Sequence, residues 1–271
     1  MEQKVSSNLV MRAAAGFTAL VLSGAGLLML PAALSPGREL SWMDALFTAT
    51  SAATVTGLCV QDTASHFSWV GQLIIAVLMQ VGAVGAMVIA CRLLLGPSRG
   101  LVWRIVGVVV IVECIGAALL MPMYGFGGGL FHAISAFCNA GFDLTGHSLS
   151  GELYTMSTHV VMTGLIVLGG LGFPVLACRK ALPGHARVVL VTTAGLYLTG
   201  VVVLIAGELM PYVSHQLNLN VTANRVEPEK LRARKFGAMV ADASFMSVSA
   251  RSAGLATTST PRGSALDAVR L

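Results

Sequence analysis

An all-α membrane protein built from repeated helix, pore-loop, helix units is the fold class this sequence predicts. Three observations predict it. Apolar residues make up 55% of the 271 and charged residues only 11%, with a mean hydropathy of +0.80, a balance outside that of water-soluble domains. The apolar residues gather in five almost uncharged blocks, 13–34, 69–91, 105–123, 158–178 and 188–207. Each is near the roughly 20 residues that a helix rising about 1.5 Å per residue needs to cross about 30 Å of hydrocarbon. Finally, a pattern of Phe, Ser four residues later, and then Gly recurs three times, each time after such a block.

The first block, 13–34, follows Lys4 and Arg12 and predicts a retained spanning helix. The competing reading is a signal peptide with Ala32 and Ala33 near its cleavage site, but 22 residues exceed the roughly 7–15 of a signal core. With the N-terminus inside, the inner segments as far as residue 210 hold Lys4, Arg12, Arg92, Arg99, Arg104, Arg179, Lys180 and Arg187, and the outer ones hold Arg38. That asymmetry predicts a cytoplasmic N-terminus. It also accounts for much of the basic pI of about 9.2 without a nucleic-acid partner. Arg232 and Arg234 fall outside and break the pattern.

Between the first two blocks lies FTATSAATVTGL, residues 47–58. It is too short to span and too apolar for a water-facing loop. Ser41, with Asp44 three residues on, predicts the cap of a half-helix. Backbone that is not helical at membrane depth survives only where protein buries it or water fills a cavity, since each unpaired amide or carbonyl in lipid costs several kcal/mol. The half-helix directs the negative end of its dipole toward the bilayer centre, which favours a cation. Gly57 can take a positive φ and turn carbonyls toward an axis, as in filters that replace an ion's hydration shell. Two later stretches repeat the pattern: 131-FHAISAFCNAGF-142, after the block 105–123, and 245-FMSVSARSAGL-255, after 188–207. The glycine falls ten residues after the Phe in the first two and nine after it in the third.

These segments, with GQLIIAVLMQVGAVGAM and VLGGLGFPV after the first two, resemble the Trk/Ktr/HKT superfamily of potassium transporters, most closely its bacterial Ktr membrane subunits. The resemblance covers residues 10 to about 258. It implies four pseudo-equivalent quarters around one ion path, with filter strands at Thr54, Val55, Thr56 and Gly57, at Cys138, Asn139, Ala140 and Gly141, and at Ser252, Ala253 and Gly254. Those backbone carbonyls would hold potassium, or sodium, with no organic cofactor. The resemblance also implies uptake across the plasma membrane, a homodimer and a cytosolic nucleotide-binding regulatory subunit. The expected division is 9–95, 101–178 and a partial 186–258, followed by a polar tail, 259–271. About two and a half of four units are present. A ring short of one quarter leaves pore-loop backbone facing lipid, so a second polypeptide is expected to complete it, or the chain is a truncated product.

Four further residues are candidates. Glu113, a carboxylate inside a spanning block, is either an ion or proton relay or a hydrogen-bonded packing residue. Arg251 would repel a cation if it lined the path, and so is expected to point away and pair with a carboxylate, Asp143 by choice. Asp62 and Asp143 either attract cations at the mouth or solvate loop ends. The glycines of 80-QVGAVGA-86 and 169-GGLGFP-174 predict close helix packing, with Pro174 adding a kink. The five cysteines are scattered with no C-x-x-C pair, and the six histidines show no ligand spacing. With no nucleophile and base pair or phosphate loop, an enzyme is not expected. Two alternatives to a potassium pathway stand: a non-conducting remnant, and a secondary solute transporter using Glu113.

Overall fold

The computed structural model describes residues 2–96, 99–145, 156–178, 183–216, 240 and 243–249. The expectations for Ser252, Ala253, Gly254 and Arg251, and for the tail 259–271, lie outside the described residues. The helices in order are α1 (Glu2–Leu28), α2 (Trp42–Ala53), α3 (Thr63–His66), α4 (Trp69–Leu95), α5 (Leu101–Cys138), α6 (Met156–Cys178) and α7 (Pro183–Gln216), and residues 243–249 are also helical. No strand occurs among the described residues.

Four helices, α1, α4, α5 and α7, carry apolar runs long enough to cross a bilayer, and α6 adds a shorter one, Ser157–Phe173. Leu73, Val77, Ile111, Ile115, Leu119, Leu198, Val202 and Val203 are exposed on these helices. In water such a surface would associate, and in a bilayer it meets hydrocarbon. Each of the five expected blocks lies on one helix, and only the first block runs past the end of its helix. The first helix ends at Leu28 rather than at residue 34, and Pro31–Ala33 form a 3-10 turn. Pro31, lacking an N–H, starts that turn well but could not continue the preceding helix.

α2 has 12 residues, or about 18 Å, roughly half the hydrocarbon thickness. Ser41 caps it as expected, its Oγ accepting the Asp44 amide at 3.1 Å. Asp62 caps α3 by accepting from the Ser65 amide at 3.1 Å, which favours the loop-end reading of that residue. Ser68 caps α4 and donates to the Ala32 carbonyl at 2.5 Å, tying the 3-10 turn to the next spanning helix.

α5 is two helices joined at Gly125, whose φ of 71° breaks the helical path. The chain doubles back there. A Cβ built on Gly129 would lie 3.1 Å from the Ala117 carbonyl oxygen, whereas twelve residues of straight helix would hold the two about 18 Å apart. The returning limb, residues 126–138, is thus the second half-helix, packed beside the limb that precedes it. Two apolar cores sit around the half-helices. One gathers Leu28, Ala49, Ala52, Phe67, Met79, Ala140 and Phe142, and the other gathers Ile105, Leu120, Phe137, Met162, Ile166 and Phe245.

Candidate functional site

Both half-helices end in the same backbone device. After α2, the Val55 amide donates to Ala52 O and the Thr56 amide to Ser51 O; after α5, the Asn139 amide donates to Ala136 O and the Ala140 amide to Ser135 O. This is the Schellman arrangement, in which the residue after the cap adopts a left-handed conformation. That residue is Val55, φ 50°, in the first turn and Asn139, φ 59°, in the second. Asparagine tolerates the conformation, but a β-branched valine resists it by about 1–3 kcal/mol. Two residues later Gly57 and Gly141 each have φ 75°.

The repeated serine of the sequence pattern now has a physical role. Ser51 and Ser135 supply the carbonyls that close the two turns. Their hydroxyls brace the segments behind: Thr56 Oγ1 donates to Ser51 Oγ at 3.1 Å, and Ser135 Oγ donates to the Phe142 carbonyl at 2.7 Å. In the third copy Phe245 and Ser249 are both fully buried.

The two turns meet. A Cβ on Gly57 would stand 2.6 Å from Ala140 O and 3.2 Å from Gly141 Cα. Amides of both turns point back into the half-helices, and among the described residues no backbone amide donates to the carbonyls of Val55, Thr56, Ala140 or Gly141. Ala140 is buried, and a buried carbonyl without a backbone donor is satisfied by a side chain, water or an ion.

Each turn also rests on a spanning helix through a glycine. A Cβ on Gly82 of α4 would collide with Ala53 O, four residues before Gly57, and a Cβ on Gly169 of α6 would collide with Phe137 O, four residues before Gly141. One helical turn earlier on these helices, Leu78 packs on Gly24 of α1 and Leu165 on Gly116 of α5. The expectation of close packing at these glycines is met at Gly82 and Gly169. The kink in α6 centres on Gly172, φ 75°.

Behind the second turn lies a buried polar group joining three segments. Gln80 Nε2 donates to Glu113 Oε2 at 2.9 Å, and the Cys138 thiol lies 3.6 Å from Gln80 Oε1 and 3.8 Å from Glu113 Oε1. Glu113 is 4% exposed, so its carboxyl is a buried hydrogen-bonded brace between Gln80 and Cys138. Replacing Glu113 by Ala would leave the Gln80 amide without its acceptor. A loss of about 1–3 kcal/mol is expected, read as a lower Tm in detergent, whereas Glu113→Gln, which keeps length and hydrogen-bonding capacity, should lose less than half as much.

Asp143 is held by His132, whose Nε2 lies 2.9 Å from Oδ1, and by the Thr145 hydroxyl at 2.6 Å. Burial pushes the Asp143 carboxyl up, but the hydrogen bonds from His132 and Thr145 outweigh it and hold it below its ordinary value of 3.8. His132 Nδ1 lies 2.7 Å from Gly128 O, and Tyr124 stacks on the ring at 4.5 Å. The partner of Asp143 among the described residues is therefore a histidine, which spacing did not single out. Its signal was present, since His132 sits inside the repeated motif at a position where the first copy has Thr48. The Leu144 amide also lies 3.3 Å from His132 Nε2. Hydrogen exchange of that amide should accelerate roughly five- to tenfold in His132→Ala if the imidazole orders the segment after the second turn.

A family model described as TrkH, cation transport protein, matches residues 100–262. The potassium/sodium uptake protein NtpJ of Enterococcus hirae is 34% identical to this chain, the match covering 77% of the chain and 55% of that protein. The Ktr system potassium uptake protein B of Bacillus subtilis is 40% identical, over 60% of this chain and 43% of that one. The crystal structure of the potassium transporter TrkH from Vibrio parahaemolyticus superposes with a TM-score of 0.66 at 17% identity, covering 93% of this chain and 52% of that chain. The chain spans about half the length of the curated relatives it matches. With helices apolar enough to span a bilayer, two matching half-helix turns and a family match over more than half its residues, the chain belongs to the TrkH cation transport protein family.

Proposed function

We propose that this chain supplies adjacent filter strands of a monovalent-cation uptake pathway, with potassium as the principal ion. The observation that carries the reading is the pair of turns with matching backbone angles that meet at Gly57 and Ala140. Thr54, Val55, Thr56 and Gly57 form one strand and Cys138, Asn139, Ala140 and Gly141 the next. The amides of Val55, Thr56, Asn139 and Ala140 are engaged by the half-helix ends, which leaves carbonyl oxygens for a partly dehydrated ion. The half-helix dipoles add negative potential at the same place. Ser252, Ala253 and Gly254 would form a third strand by sequence equivalence, with Arg251 directed away from the path.

The reading includes a division into units 9–95, 101–178 and 186–258, a cytoplasmic N-terminus in a plasma membrane, a homodimer and a nucleotide-binding regulatory subunit. It draws on the printed names of the relatives, which are potassium or potassium/sodium uptake proteins. Asp143, held by hydrogen bonds to His132 and Thr145, sets the position of the segment beyond Gly141 and does not bind the ion.

The test uses a chimera in which residues 10–258 replace the matching part of the Bacillus subtilis Ktr B protein, expressed in a bacterium lacking potassium uptake. Expected is growth at low potassium and rubidium uptake that Gly141→Ala lowers by more than about tenfold, the rate change for a barrier shift of about 1.4 kcal/mol. A chimera that inserts stably but takes up no rubidium would contradict the reading.

A further inference from the structure

Away from the two turns, α1, α4 and α5 enclose a groove of about 1360 Å³, larger than the roughly 300–1,000 Å³ typical of small-molecule pockets. Its walls are almost wholly apolar, with Phe17 from α1, Val84 and Val88 from α4, and Val106 from α5 among them. Two charged side chains line it, Arg12 and Arg92. Arg12 is the first α1 residue to line the groove and Arg92 the last from α4, and since Gly24 meets Leu78 while Gly85 meets Phe17 the two helices run in opposite directions, so both arginines stand at one end of the groove. Both are exposed, and among the described residues neither has a carboxylate within ion-pair distance. The polar groups farther along are already engaged: Gln80 with Glu113, and Ser23 with the Leu20 carbonyl.

We propose that this groove is a binding site for an anionic glycerophospholipid, with an acyl chain along α1, α4 and α5 and the headgroup phosphate between Arg12 and Arg92. Three features choose this occupant. The groove opens on a helix face where Val81 and Val110 are about half exposed, at 49% and 46%, so hydrocarbon can enter from the bilayer without dehydrating a polar wall. The guanidiniums sit at one end only, matching a molecule that is charged at one end. At that same end Trp103, 79% exposed, and Arg104 flank the start of α5, the residue types that lie at the level of lipid headgroups. Arginine gives phosphate a planar, multiply donating partner, and basic pockets between spanning helices recognise anionic lipid headgroups. The proposal rests on the membrane fold and not on ion conduction, so either can fail alone.

The test is lipid retention by the purified 271-residue chain in detergent, read by native mass spectrometry with phosphatidylglycerol, phosphatidylcholine or inorganic phosphate added. Expected is retention of phosphatidylglycerol at about thirtyfold lower concentration than phosphatidylcholine, the preference that two basic side chains confer near an anionic headgroup. Arg12→Ala with Arg92→Ala should abolish that preference, and Arg12→Lys with Arg92→Lys should keep most of it. Val84→Trp, which fills the groove without touching charge, should reduce retention of both lipids. Equal retention of the two lipids by the unaltered chain would overturn the proposal. So would displacement of phosphatidylglycerol by millimolar inorganic phosphate, or a second copy of the chain that masks the groove and excludes lipid.

Discussion

Replacing Gly57 by alanine is expected to separate the two turns and to cost the fold about 2–6 kcal/mol. One part is conformational: at φ 75° a side chain costs about 1–3 kcal/mol. A further part is steric. The new Cβ would lie 2.6 Å from the Ala140 carbonyl oxygen and 3.2 Å from Gly141 Cα, both backbone atoms that cannot rotate away, and forcing extra volume into such a contact costs about 1–3 kcal/mol. Gly16 and Gly26 provide the comparison. Neither has an atom within 4 Å of a built Cβ, and alanine there should be neutral or stabilising by up to about 1 kcal/mol, the ordinary helix preference. Thermal unfolding in detergent separates the cases. A Gly57→Ala protein as stable as Gly16→Ala would mean that the two turns do not touch. Gly141→Ala should lose the conformational part, since its φ is the same.

The second large effect is expected at Gly169. A Cβ there would collide with Phe137 O and stand 2.8 Å from Asn139 Nδ2, so Gly169→Ala must push the end of the second half-helix off α6. Because Phe137 and Asn139 flank Cys138 in the candidate filter, the displacement is transmitted directly to the strand. A destabilisation of about 1–3 kcal/mol and loss of uptake by the chimera described above are expected. Gly82→Ala should act likewise on the first strand through Ala53 O, while Gly164→Ala, with no neighbour within 4 Å, should do neither. If Gly169→Ala and Gly164→Ala behaved alike in both stability and uptake, the glycine would not be the seat of the half-helix.

Much of this arrangement was legible before any coordinates, because it is written in the solvent and in the repeat. Long apolar blocks mark helices that meet lipid, and a short apolar stretch bounded by Ser41 and Gly57 predicts a half-helix and a turn. The first two copies of the repeated Phe, Ser and Gly fall on half-helices ending in matching turns, but the roles of these residues needed geometry. Ser51 and Ser135 close Schellman turns through their carbonyls, and no periodicity distinguishes that from ordinary helix packing. Positive φ at Val55 was not legible, since valine disfavours it, and the tertiary contacts of the turn override local preference. The reversal at Gly125 was equally hidden: the stretch from 101 to 138 is apolar throughout, so hydropathy merges its two limbs. Pairing across distant segments was least legible. The partners Gln80 and Glu113 stand 33 residues apart, and the choice between relay and brace for Glu113 depended on a neighbour that sequence alone does not identify. The pairing of Asp143 with His132 was hidden by the same limit.

Anomalous diffraction from rubidium-soaked crystals of the chimera tests most directly whether the backbone of 54–57 and 138–141 forms one ion path. Expected is anomalous density between the two turns, within coordination distance of carbonyl oxygens from both, that weakens when sodium replaces rubidium. Turns in contact with no density between them, or density held by side chains elsewhere, would contradict the filter assignment.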